Sequence, residues 1–260
     1  MARIARFQTP AGAAFGLIED DDSVYALAGN PFSGPLLPGE RLGAVESLKL
    51  LPPVQPSKIV CVGRNYAAHA AEHSAPVPEE PMLFLKPPSA LIGFGEPILV
   101  PQGIGQVEHE AELAVIIGRQ ARRVERSAAL DYVLGYTCAN DVSARDLQRK
   151  DNQWGRAKGF DTFCPLGPWI VTDLDPRDVE VSCRVNGEQR QRARTSEMVF
   201  DVPALIAFIS RVMTLLPGDV ILTGTPSGVG PIVEGDTVEV EIESVGILRN
   251  PVRSGPAWAE

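Results

Sequence analysis

The alternation of apolar and polar positions predicts a succession of short strands with few helices. Arg3–Gln8 alternates like a strand, Pro10-Ala11-Gly12 makes a turn, and Phe15–Ile18 forms the return strand. Another strand follows the acidic turn Asp20-Asp21-Asp22. Prolines 52, 53 and 56 then break the pattern, which divides the chain into a small N-terminal β domain (1–55) and a larger domain (56–260). The larger part opens with the buried strand Lys58–Gly63. Ser127–Leu134 is predicted to be a short helix closed by Gly135, and Tyr136–Ala139 a strand leading to Asn140-Asp141. Ser143-Ala144-Arg145-Asp146 has the form of a capping box opening a further short helix. The clearest helix runs over Pro203–Leu215, with Leu205, Ile206, Ile209, Val212 and Met213 at helical spacing. Strands return at Asp219–Leu222 and Thr237–Glu243. The fold class is therefore mostly β with short helices: a sandwich, roll or barrel.

A chain of 260 residues with 44% hydrophobic and 22% charged residues holds one large domain, or one main domain with an appendage. A formal charge of −9 argues against nucleic acid as a partner and requires a local cation for any small anionic substrate. No apolar run reaches the roughly 20 residues of a membrane span, and the N-terminus lacks a signal-peptide core. Cys61, Cys138, Cys164 and Cys183 form no close pair and read as buried thiols, so a cytoplasmic location is expected.

Chemistry concentrates first in Val107–Gly118, where Glu108, Glu110 and Glu112 alternate and then run into an apolar segment. On an unbroken strand the three carboxylates share one face. A divalent cation such as Mg²⁺, Mn²⁺ or Ca²⁺ resolves their repulsion; the bland alternative is an edge strand with a solvated acidic face. Asp141, at the end of the next strand, could supply a third oxygen ligand beside Glu110 and Glu112, or merely turn the chain. In a second segment, His69 and Glu72 are three residues apart and meet on one helical face, as a general base and its orienting carboxylate would. His69-Ala70-Ala71-Glu72-His73 also matches the inverted zinc-peptidase string, but the segment is too short for that helix. Lys158, among small and aromatic residues, could hold its ammonium in a partly dry pocket against a developing anion. The loop Thr223–Pro231 is Gly-rich and could offer backbone N–H groups to an anion; it lacks the ending of a nucleotide-binding loop.

Taken in order, these segments resemble the fumarylacetoacetate hydrolase family. The likeness runs through Val62-Gly63-Arg64-Asn65-Tyr66, His69 with Glu72, Phe84-Leu85-Lys86-Pro87, Glu110-Ala111-Glu112-Leu113 and Asn140–Asp146. It continues through Lys158-Gly159-Phe160-Asp161, Leu222–Pro226 and Val238–Ile242. The resemblance implies a mixed β-sandwich roll, a homodimer, and Mg²⁺ or Mn²⁺ held by Glu110, Glu112 and Asp141. It implies catalytic roles for His69, Glu72 and Lys158, and substrate contacts from Arg64, Tyr66, Arg145, Gln148 and Thr225. Arg149 and Arg156 are further candidates for a second substrate carboxylate. Glu108 falls outside the implied ligand set, and His73 and His109 have no implied role.

The implied substrates are short 2-oxo or 2-hydroxy-dienoic acids that react through a stabilised enolate. C–C hydrolysis of acylpyruvates or decarboxylation of oxaloacetate leads. Isomerisation of 2-hydroxyhepta-2,4-diene-1,7-dioate (the 5-carboxymethyl-2-hydroxymuconate type), in aromatic catabolism, is the alternative. A non-catalytic protein binding 2-oxo acids is the reading from another class.

Overall fold

Two apolar stretches, Ile59–Gly63 and Ala111–Ile117, set the centre of the molecule because both of their faces are buried. The computed structural model describes residues 1–72 and 74–258, so the His73 expectation lies outside the described residues. Val60, Val62, Leu113, Val115 and Ile117 enter one apolar cluster, while Ile59, Cys61, Ala114 and Ile116 enter another on the opposite face. This is the period of two expected of a strand sandwiched between layers.

These strands lie in a mixed twelve-stranded sheet. Its main path runs Pro38–Ala44, Ser23–Leu27, Gly12–Ile18, Arg3–Thr9, Cys164–Val171, Val133–Asn140, Ala111–Ile117, Val220–Leu222, Ile59–Gly63, Met82–Lys86. Most neighbours are antiparallel; Val220–Leu222 pairs in parallel with Ile59–Gly63. A second sheet of five strands is ordered Glu188–Arg194, Glu180–Val185, Thr237–Ile242, Gly246–Ala257, Ile98–Gln102. Val181, Cys183, Val238, Val240 and Ile242 bring it onto the first cluster, which the helix Val202–Val212 closes with Leu205, Ile206 and Ile209. Asp201 caps that helix by accepting from the Ala204 N–H at 2.9 Å. The chain thus has the mostly β architecture with short helices.

The first five strands also have a core of their own, built from Ala5, Phe7, Ile18 and Val24 against Leu42, Val45, Leu48 and Leu50. They are nevertheless stitched into the large sheet: Arg3 and Ile4 pair with Val171 and Ile170.

Two local expectations fail. Arg126–Tyr132 forms a 3₁₀ turn rather than an α-helix, and Gly135 does not close it. Gly135 lies inside the strand Val133–Asn140, where a Cβ would collide with the Val171 carbonyl oxygen. Nor does a capping box form at Ser143. Ser143-Ala144 is a short strand, the Ser143 hydroxyl donates to the Asp141 carbonyl at 2.8 Å, and the helix Arg145–Lys150 has no side-chain cap. Its start is held instead by the Arg145 N–H on the Gln106 carbonyl.

Candidate active site

The acidic strand is not continuous. Val107–His109 belongs to a small three-stranded sheet with Ser143-Ala144 and Gly230-Pro231, and Glu110 sits in the break before Ala111–Ile117. The break leaves no backbone group unpaired: the Glu110 N–H donates to Asn140 Oδ1 and its carbonyl accepts from the Asp141 N–H, both at 2.9 Å. The register places Glu112 opposite Ala139, so the end of one strand delivers Glu112 and the end of its neighbour delivers Asp141. Glu110, Glu112 and Asp141 are all buried, and their ligand oxygens lie within 4.8 Å of one another. The acidic stretch is therefore not a solvated edge. Glu108 stands outside this cluster and accepts from Arg145 Nε at 2.6 Å, while Nη2 of the same guanidinium reaches Glu110.

Three buried cations surround the triad. Lys158 Nζ donates to Glu110 at 2.7 Å and to Asp141 at 2.8 Å. Lys86 Nζ donates to the other Asp141 oxygen at 2.5 Å and to the Val142 carbonyl at 3.1 Å. Arg145 Nη2 lies 2.6 Å from Glu110. Burial opposes the Glu110 charge, yet Lys158 and Arg145 outweigh it and hold its carboxyl below the usual range. Glu112 is different: burial first, then Asp141 and Glu110, push its carboxyl up. No cation contacts Glu112 among the described residues; its carboxylate accepts the Gly224 N–H at 2.6 Å. Three hard oxygen donors, one of them lacking a counter-charge, fit a divalent cation.

A cavity of about 410 Å³ opens on this centre. Its walls include Glu110, Glu112, Arg145 and Lys158, with Arg64, His69, Gln148, Arg149 and Thr225. His69 lies on the helix Ala67–Glu72 with Nδ1 3.4 Å from Glu72. The fold therefore assembles most of the residues singled out in the sequence, with exceptions. Arg156 does not line the cavity but pairs with Asp151 outside it. Tyr66 is also absent from the lining: it is buried, and its hydroxyl has no hydrogen-bond partner among the described residues. Arg145 faces the cavity, but its guanidinium is committed to Glu108, Glu110 and the Gln148 amide oxygen.

The Gly-rich loop holds anions, and they belong to the chain itself. Gly224 donates to Glu112, and Gly228 donates to Glu72 at 3.1 Å. Thr225 ties the same loop to the strand by donating to the Ala111 carbonyl at 2.9 Å. Glu72 thus does two things, meeting His69 and docking its short helix on the loop. Lys86 was missed as a site residue, although its strand register opposite Ile59 on a buried face is a signal that sequence carries. Asn65 was also missed. Its amide donates to the Phe200 and Thr223 carbonyls and accepts the Phe200 N–H, pinning the segment before the His69 helix.

The fold and the buried carboxylate centre define a mostly β protein equipped to hold a divalent cation beneath a small-molecule cavity. Residues 58–253 match the family described as fumarylacetoacetate (FAA) hydrolase C-terminal, and residues 2–53 match the Rv2993c-like N-terminal family. The chain belongs to the fumarylacetoacetate hydrolase family. It is 48% identical to a solved 2-hydroxyhepta-2,4-diene-1,7-dioate isomerase from Mycobacterium marinum, with a TM-score of 0.91 over 98% of this chain and 99% of that one. It is 51% identical to a 5-carboxymethyl-2-hydroxymuconate delta-isomerase from Mycobacterium smegmatis, with a TM-score of 0.89 over 97% of this chain and 100% of that one. An oxaloacetate tautomerase, fahd2 of Xenopus laevis, is 47% identical over 79% of this chain and 69% of its own length. No helix among the described residues is long and apolar enough to cross a membrane.

Proposed function

We propose that the protein moves a proton between C3 and the 2-oxygen system of short 2-oxo dicarboxylic acids, as a tautomerase or isomerase. The observation that carries this reading is His69 in the wall of the cavity that Glu110 and Glu112 also line, with Glu72 beside the imidazole and Asp141 buried next to the two carboxylates. A divalent cation, Mg²⁺ or Mn²⁺, held by Glu110, Glu112 and Asp141 supplies a Lewis acid for the carboxylate and 2-oxygen of such a substrate. His69 takes or returns the C3 proton, and Glu72 orients the imidazole. Lys158 has three N–H donors and spends two on Glu110 and Asp141, leaving the third for negative charge developing on the substrate. Arg64 and the Gln148 amide offer the cavity a positive and polar wall for a second carboxylate, beside Arg149, which is already paired with Asp146 at 2.6 Å.

The similar proteins named as isomerases and a tautomerase support this order of preference. The same residues also suit a second reading, in which His69 activates water for C–C hydrolysis of an acylpyruvate, or the site decarboxylates oxaloacetate. The deciding experiment follows oxaloacetate, acetylpyruvate and 2-hydroxyhepta-2,4-diene-1,7-dioate spectroscopically with Mg²⁺, Mn²⁺ or EDTA, coupled in parallel to pyruvate detection. Metal-dependent loss of the enol or dienol signal without pyruvate is expected. Stoichiometric pyruvate release at the same rate would select the second reading.

A further inference from the structure

We infer a second anion site, away from the triad, in which Arg6 binds the carboxylate of a small organic acid with a compact apolar body. Four lysine or arginine side chains of the described residues are buried: Arg6, Lys86, Arg145 and Lys158. The last three each meet a carboxylate. Arg6 meets none among the described residues, although only 8% of it is exposed. One Nη1 donates to the Pro52 carbonyl at 3.0 Å, and the guanidinium lies 5.8 Å from the Phe15 ring centroid. A guanidinium has five N–H donors in a fork matched to a carboxylate, so most of its capacity is uncommitted.

The strand register explains how it comes to be there. Ala5 and Phe7 face the N-terminal core, while Ile4, Arg6 and Gln8 alternate onto the other face, where Ile4 enters the main core. Phe15 and Leu51 stand opposite Arg6 on the two flanking strands. The alternation therefore assigns Arg6 to an inward position, and the space beside it is not filled. A cavity of about 440 Å³ lies there, walled by Leu51, Pro52, Val54, Pro56, Pro88 and Leu91. Its polar lining is Arg6, Gln8 and Gln55, with no acidic residue, in a chain whose net charge is −9. A buried cation with no carboxylate partner among the described residues, a largely apolar wall and two amides at the rim describe a ligand with one carboxylate and a compact apolar body.

The test uses the full chain labelled with ¹⁵N-arginine. The Arg6 Nε–H resonance is identified by its loss in Arg6→Lys, and benzoate is titrated against it. A saturable shift is expected with a dissociation constant below about 1 mM. Ala13, which lines the rim, is replaced in Ala13→Trp, and this variant is expected to weaken binding by about 10-fold or more while the Arg6 resonance persists. A shift that rises linearly without saturation overturns the site. So does saturation unchanged by Ala13→Trp. An equal saturable response to sulfate would show that the apolar body plays no part and would overturn the ligand class.

Discussion

Gly224 donates its backbone N–H to Glu112 at 2.6 Å, and through that bond the loop after Val220–Leu222 fixes the one triad carboxylate that no cation of the described residues contacts. Glu112 is thus oriented without being neutralised. Removing its charge while keeping its shape separates those two properties. Glu112→Gln is expected to weaken Mg²⁺ binding by at least about 10-fold in titration calorimetry. In EDTA the variant should melt no lower than the parent, because a neutral amide relieves the burial and repulsion that Glu112 meets. Unchanged Mg²⁺ affinity would remove Glu112 from the ligand set.

Lys86 is fully buried against Asp141, so its loss leaves Lys158 as the one cation of the described residues in contact with that carboxylate. Lys86→Met is expected to cost about 1–3 kcal/mol of stability in urea denaturation without metal, the cost of losing one charged hydrogen bond while the other stays. Saturating Mg²⁺ should recover more of that loss in the variant than it adds to the parent. An equal increment in both would show that Lys86 and the cation do not share Asp141.

His69→Ala is expected to lower kcat by about 100-fold or more and to change the affinity for oxalate, an enolate mimic, far less. Glu72→Gln should give a smaller fall in kcat and also loosen the loop, because Glu72 holds Gly228. Hydrogen exchange at Gly228 measures the second effect. Equal losses of kcat and oxalate affinity in His69→Ala would make the imidazole a binding group.

His109 is buried, donates its Nδ1–H to Gln191 Oε1 at 2.9 Å, and is pushed by that burial below the usual imidazole value. The unfolded chain therefore takes up a proton near pH 6.5 that the folded chain refuses until the pH is lower. Stability falls as the pH drops through this window, by at most about 1.4 kcal/mol per pH unit from this residue. His109→Asn should show a shallower loss of melting temperature in EDTA between about pH 7.5 and 5.5, the window of imidazole titration. A parallel decline in both proteins would assign the slope to other groups.

Sequence patterning located the strands Ile59–Gly63 and Ala111–Ile117 because burial on both faces leaves an unmistakable apolar run. Patterning leaves Asp141 open between a ligand and a turn, and the grouping of Glu110, Glu112 and Asp141 rests on the family resemblance. The strand pairing that brings them within 4.8 Å of one another is a property of the fold. The break at Glu110 was not legible: it depends on Asn140, thirty positions away, accepting an N–H that the ladder abandons. Gly135 misled for a similar reason, as its need to be small comes from Val171 on a neighbouring strand and not from a helix end. The Gly-rich loop reads in sequence as an ordinary turn that could hold an anion. Its anions are Glu72 and Glu112, which only the folded chain brings to it.

The pairing of Ala2, Arg3 and Ile4 with Ile170, Val171 and Thr172 also has a meaning for how the chain can be divided. The two family matches meet near the prolines, which invites excision of residues 58–253 as a free unit. Such a cut would bare the flank of Cys164–Val171 along these residues and leave its N–H and C=O groups ready to recruit another molecule's strand. The N-terminal segment is in this sense a hem on the larger sheet, and the truncated protein should associate through this edge, which the whole chain covers.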